Sequence, residues 1–205
     1  MTTNASQEDR MLDYLKQHNL ARSKELREKG VAATTISRAL AEGKVIRVDR
    51  GLYQLPDSEA DINANLVEVC KKVPKANICL MSALAFHELT DQIPRKVWIA
   101  IGTSHYQPSL TYPKTKVVRF REPYYSQGIE EYKITGVAVP IYSVEKSICD
   151  AFRHPKLVDR SVAIECLKSA LNARKSTPAK IADAAKKYRA WNQINPYLEA
   201  ITSNG

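Results

Sequence analysis

At 205 residues and 44% hydrophobic content, the chain can bury a core as one large domain or two small ones. Its net charge of +9 and pI near 9.4 call for an acidic partner, either nucleic acid or an acidic protein. No run nears the roughly 18 consecutive apolar residues that span a bilayer, and the polar start MTTNASQEDR is not a signal peptide. The cysteines (Cys70, Cys79, Cys149 and Cys166) are scattered, with no Cys-x-x-Cys and no ligand-spaced histidines. Buried free thiols in a reduced cytoplasm are expected, and no metal or cofactor.

Ser6-Gln-Glu-Asp9 is a capped helix start with acids in the first turn. Met11, Leu12 and Leu15 follow as its apolar face, and Asn19 closes it. A second helix runs from Ser23, as N-cap, to Lys29, with Leu26 inward and Gly30 as stop. A third covers the stretch from Ala33. Ile36, Ala39 and Leu40 face a core there, and Thr34, Ser37, Arg38 and Ala41 lie opposite. Gly43 suits the C′ position. Val45, Ile46 and Val48, then Leu52, Tyr53 and Leu55, favour two strands around Asp49-Arg50-Gly51, where glycine supplies a positive φ.

Three short helices and a hairpin in 56 residues make a complete small domain. A recognition helix followed by a β-hairpin wing is the winged helix-turn-helix arrangement. The expected fold is therefore α+β. An N-terminal winged helix-turn-helix domain (1–56) precedes a larger mixed α/β C-terminal domain (57–205) with a basic helical end. Thr34, Thr35, Ser37 and Arg38 would address the major groove. Lys44, Arg47, Arg50 and Tyr53 would reach phosphates or a minor groove from the wing. The charge is placed unevenly: through residue 60 the balance is only +1, and beyond it +8. Phosphate contacts beyond those few must come from the second domain or a second protomer, or the extra charge serves another partner.

After a linker at Pro56-Asp-Ser-Glu, a helix is expected over 61–72, ended by Pro74. A buried helical stretch spans 78–89, with Ser82 as cap or inner-turn residue and His87 in a structural role. Strands are expected over Lys96–Ile101 and Thr115–Phe120, the second with a basic edge of Lys114, Lys116, Arg119 and Arg121. Gly102-Thr-Ser-His105 is a weak phosphate-loop signal, lacking a Walker pattern. Gly136 splits a hairpin over 131–142. Ser143 caps the helix SVEKSICDAFR, whose Glu145 is read as a dipole partner and Asp150 as a tertiary hydrogen-bonder. Beyond His154 the chain is helical and basic, with Pro178 in the first turn of one helix and a last short helix at 196–201. Lys168, Arg174, Lys175, Lys180, Lys186, Lys187 and Arg189 would form a solvated basic face for an acidic partner.

These residues together resemble the AbiEi family of antitoxins from type IV toxin–antitoxin systems. The match runs through Glu25-Leu26, Gly30-Val31, Ile36-Ser-Arg-Ala-Leu40, Gly43-Lys-Val-Ile-Arg-Val48 and Arg50-Gly-Leu-Tyr-Gln-Leu-Pro56. It continues through Ser82-Ala-Leu-Ala-Phe-His87, Val97-Trp-Ile-Ala-Ile101 and Ser143-Val-Glu-Lys-Ser-Ile-Cys-Asp-Ala-Phe152. The resemblance implies a cytoplasmic, non-enzymatic antitoxin acting in abortive infection and phage defence. Its winged domain would repress its own operon on double-stranded operator DNA, as a monomer or a weak dimer on inverted repeats. Its larger domain would counter a nucleotidyltransferase-like toxin, with direct contact not required. Two other readings stay open: a basic protein- or RNA-binding module acting through the C-terminal domain, and a metal-dependent enzyme on Glu145 and Asp150.

Overall fold

The computed structural model describes residues 6–18, 20–56 and 62–203, which fall into two compact units, residues 1–65 and 66–205. Asn19, the linker residues 57–59 and Asp61, expected to start the next helix, lie outside the described residues, as does residue 60.

The first unit opens with α1, Gln7–His18. Ser6 caps it: its hydroxyl accepts the Asp9 N–H at 3.1 Å while the Asp9 carboxylate accepts the Ser6 N–H at 3.1 Å. This reciprocal pair satisfies two backbone donors, and the Ser6 hydroxyl, donating to the Asp9 carboxylate at 2.7 Å, together with the Ser6 N–H holds that carboxyl below its ordinary range. Met11 and Leu15, one turn apart, are fully buried. A two-residue strand, β1 (Ala21–Arg22), leads into α2 (Ser23–Glu28), followed by α3 (Ala33–Ala41), β2 (Ile46–Asp49) and β3 (Leu52–Gln54). The sheet order is β1-β3-β2, antiparallel throughout, with a bulge between Arg47 and Asp49. Met11, Leu15, Ala21, Leu26, Val31, Ile36, Ala39 and Val45 form the core.

Ser23 is not the cap of α2 but its first residue. Its N–H and hydroxyl both donate to the Gly51 carbonyl, at 2.8 and 3.2 Å. The Arg22 N–H is taken by the Glu25 carboxylate at 2.7 Å instead.

The second unit has the sheet order β6-β5-β4-β8-β7, built from β4 (Asn77–Ile78), β5 (Val97–Gly102), β6 (Thr115–Phe120), β7 (Ile129–Ile134) and β8 (Val137–Tyr142). β5–β6 and β4–β8 pair parallel, while β4–β5 and β7–β8 pair antiparallel. The β7–β8 hairpin turns at Thr135 and Gly136, both with positive φ, the two-residue turn that fits a twisted ribbon. Alternation along the strands splits the core in two. Val97, Ile99, Ile101, Val139 and Ile141 pack with Leu66 and Val69 of α4 (Ile62–Lys72). Ala100, Phe120 and Tyr142 pack with α5 (Leu80–Phe86), α6 (Val144–Arg153), α7 (Arg160–Asn172), α8 (Pro178–Lys187) and α9 (Trp191–Ser203).

Ile78, expected in a helix, is a fully buried strand residue, and only from Leu80 does the chain turn helical. The Ser82 hydroxyl accepts the Trp98 N–H at 2.9 Å, tying α5 to β5. α9 is longer than expected, with Pro196 inside it. Ser143 caps α6 by accepting the Lys146 N–H at 3.2 Å, and Thr177 caps α8 with Pro178 in the first turn. All four cysteines are buried free thiols, and burial pushes Cys70, Cys149 and Cys166 up to about 12. Among the described residues, no helix is long and apolar enough to cross a membrane.

Candidate nucleic-acid interface

α3 ends in a Schellman turn. The Lys44 N–H bonds the Ala39 carbonyl at 2.9 Å and the Gly43 N–H bonds Leu40 at 3.2 Å, with Gly43 at φ +70°. Its N-terminus begins at Ala32, which has no side chain to cap it. Gln7 of α1 takes that role: its Oε1 accepts the Ala32 N–H at 2.8 Å and the Thr35 hydroxyl at 3.0 Å. The helix is thus pinned at both ends, with Ile36 and Ala39 in the core.

Thr34, Ser37 and Arg38 are exposed on the outer face of α3. Thr35, grouped with them from sequence, is not. It is buried and its hydroxyl is spent on Gln7, so it serves the helix start rather than a groove. Leu40, read as a core residue, is 37% exposed. It follows the buried Ala39, and the helical turn carries it round towards solvent.

In the wing, Arg47 and Arg50 are exposed. Tyr53 stands opposite both Ala21 and Arg47, and its ring packs half-buried against the core. It therefore supports the ribbon more than it reaches outward. Lys44 precedes β2 rather than lying in the hairpin. Its ammonium is shared between Glu42, at 2.8 Å, and Glu8. Those hydrogen bonds to Glu42 and Glu8 raise its pKa. Glu8 Oε2 also lies 3.9 Å from Arg38 Nη2. An acid of the first helix therefore sits between two cations assigned to DNA. Glu8 is at the same time one of the two acids in the first turn of α1.

In the second unit, six of the seven basic residues are exposed, and three of the seven share a cleft with acids. Lys175, Lys180 and Lys187 line a cleft of about 540 Å³ together with Glu130, Glu145, Asp183, Tyr132 and Tyr188. Lysines and carboxylates balance there. Lys175 is held inward, donating to Glu88 at 2.6 Å and to the His87 carbonyl at 2.7 Å. Lys186 stands over the Trp191 ring at 5.0 Å. Lys168, Arg174, Lys180, Lys186, Lys187 and Arg189 are exposed.

The acid/base reading of Glu145 and Asp150 does not survive the geometry. Asp150 is fully buried and paired with Lys146 and Arg153, while Glu145 accepts the Ser176 hydroxyl at 2.7 Å. No group of three or more potential metal-ligating side chains occurs among the described residues. The Gly102–His105 loop is not built for phosphate either. Arg119 collects the carbonyls of Gly102, Thr103 and His105, and the Gly102 N–H is spent on His105 Nδ1 at 3.2 Å. His87 is structural: its buried Nε2 lies 2.7 Å from the Tyr142 carbonyl oxygen.

Residues 9–56 match the AbiEi_4 family model, described as a transcriptional regulator, AbiEi antitoxin. The resemblance read from the sequence is borne out over that segment. Among solved structures, the chain is similar to the RV2827C protein from Mycobacterium tuberculosis, with a TM-score of 0.61 at 12% identity. The match covers 95% of this chain and 77% of that one, a likeness of fold. No curated protein matches the sequence.

Proposed function

We propose that this chain, whose first unit matches the AbiEi antitoxin regulators, binds double-stranded operator DNA and represses its own operon. Its second unit counters a nucleotidyltransferase-like toxin, and the chain itself performs no catalysis. The observation that carries the DNA reading is α3. A helix fixed at both ends presents Thr34, Ser37 and Arg38 outward, and a hairpin follows it with Arg47 and Arg50 exposed. Arg38 would read base edges; Lys44, Arg47 and Arg50 would hold backbone phosphates. The two-domain division, the cytoplasmic setting and binding as a monomer or weak dimer on inverted repeats belong to the same reading.

Titrating the full chain onto the DNA upstream of its own gene, with scrambled DNA as control and across a salt series, tests it. Specific binding is expected, with log affinity falling linearly against log salt. Arg38→Ala should cost operator affinity about 1–3 kcal/mol and leave scrambled DNA less affected. Binding that ignores sequence and survives Arg38→Ala would overturn the recognition-helix assignment. It would favour a basic module working through the second unit, where the surplus charge of +8 beyond residue 60 lies.

A further inference from the structure

The Glu8 carboxylate faces both Arg38 and Lys44, and Glu42 shares the Lys44 ammonium at 2.8 Å. The Glu8 side chain is 21% exposed, whereas Arg38 and Lys44 are 63% and 44% exposed. The anion is thus the most buried of the three groups, and the two cations stand nearer solvent. The seat is built by its neighbours on α1: Ser6 and Asp9 lock the first turn, and Gln7 fastens that turn to the start of α3. A carboxylate held between an arginine and a lysine stands where a DNA phosphate would stand to engage the same two groups.

We propose that Glu8 is a built-in competitor for backbone phosphate, which attenuates the affinity of the first unit for all DNA. The inference rests on the reading that α3 and the wing take DNA. When DNA arrives, Arg38 and Lys44 must exchange Glu8 for phosphates or bases. Glu8 is then left unneutralised near a polyanion. The cost of leaving Glu8 unneutralised beside the backbone, and of moving Lys44 from Glu8 to a phosphate, is the same for any sequence, because phosphates carry no sequence information. Glu8 therefore sets how tightly and how long the protein stays on DNA, not which DNA it prefers. It also bears on why this unit has a charge balance of only +1 through residue 60: part of its cationic surface is already neutralised from within.

The alternative role for the same contact is positioning, with Glu8 aiming Arg38 at a base. The two roles differ in sign. Full-length wild type and Glu8→Gln are compared on operator and scrambled DNA across a salt series. As a competitor, Glu8→Gln raises affinity for both DNAs by about threefold to tenfold, the scale of one exposed ion pair with its share of phosphate repulsion. The salt slope steepens by about one phosphate contact, and the operator-to-scrambled ratio stays put. In a Lys44→Gln background that gain shrinks, because one of the two cations is gone. A fall in operator affinity with scrambled DNA unchanged would overturn the competitor role in favour of positioning. An unchanged affinity on both DNAs would overturn it outright. Should wild type bind neither DNA at low salt, the DNA reading fails and takes this inference with it. Glu8→Asp guards against a folding artefact. It keeps the charge on a shorter arm, and its affinity should fall between wild type and Glu8→Gln.

Discussion

The Lys146 ammonium and the Asp150 carboxylate pair one helical turn apart on α6, and neither side chain reaches solvent. The rings of Tyr142, Phe120 and Tyr188 surround the ammonium at 4.4, 4.9 and 5.2 Å, and Arg153 adds a second bond to Asp150 at 3.2 Å. A buried pair contributes little net stability, but removing one partner strands a charge in a low-dielectric interior. Asp150→Asn should destabilise the second unit by about 3–5 kcal/mol in urea unfolding. The double change Lys146→Met with Asp150→Leu should cost well under that. A single variant as benign as the double would show that water reaches the site.

Acid should weaken the second unit before its carboxylates titrate. Burial pulls His87 below its ordinary value of 6.5, against the opposing pull of its bond to the Tyr142 carbonyl. Burial pulls His154, stacked on Phe120, the same way. The unfolded chain then takes up protons near pH 6.5, and the folded one only further down. Stability is full above pH 6.5 and falls as the pH drops below it toward the folded values. The thermal midpoint should be lower at pH 5.5 than at 7.5, with little change from 7.5 to 8.5. His87→Gln, which can still donate to Tyr142, should lessen the acid loss.

Gln7 supplies the cap that Ala32 lacks. Gln7→Ala should cost about 1 kcal/mol in the first unit, the usual value of a helix cap. Gln7→Glu keeps the acceptor and places a negative charge at the positive end of α3, so it should be neutral or stabilising. Denaturant midpoints of the two variants test the assignment directly. Equal losses in both would point to packing rather than capping.

Gly51 sits at φ +70° in the wing, and a Cβ there would lie 3.1 Å from the Ser23 hydroxyl. Gly51→Ala should cost about 1–2 kcal/mol from the left-handed backbone alone. Gly51→Asn should cost less. Because Ser23 is bonded to the Gly51 carbonyl, the alanine variant should also speed hydrogen exchange at the Ser23 amide.

The sequence showed most where the signal is local. The three helices of the first unit, the Gly43 stop, the Gly51 turn and the β7–β8 hairpin all rest on caps, glycines and periodicity within a few residues of themselves. What it hid depends on partners far along the chain. β1 is two residues long and exists only because Ala21 and Arg22 pair with Tyr53 and Leu52. Ile78 joined a helical pattern because β4 is equally short, and its partners are Ile99 and Ile141. Thr35 looked like a groove residue because hydroxyls favour exposure, and nothing nearby revealed that Gln7 would bury it. The site was legible as a list of outward cations. The acid seated among them was not, because the Glu8–Arg38 contact spans two helices.

The two-residue strand β4 has a consequence in time. It lies at the centre of the five-stranded sheet, bonded on one side to residues near 100 and on the other to Ile141. During synthesis, the middle of that sheet stays open until the ribosome has passed β8, some sixty residues after β4 emerges. The first unit, by contrast, has all its strands by Gln54. Long-range pairing of this kind is slow and leaves apolar strands waiting. The nascent chain would therefore carry a finished winged unit while the larger one still lacked its spine.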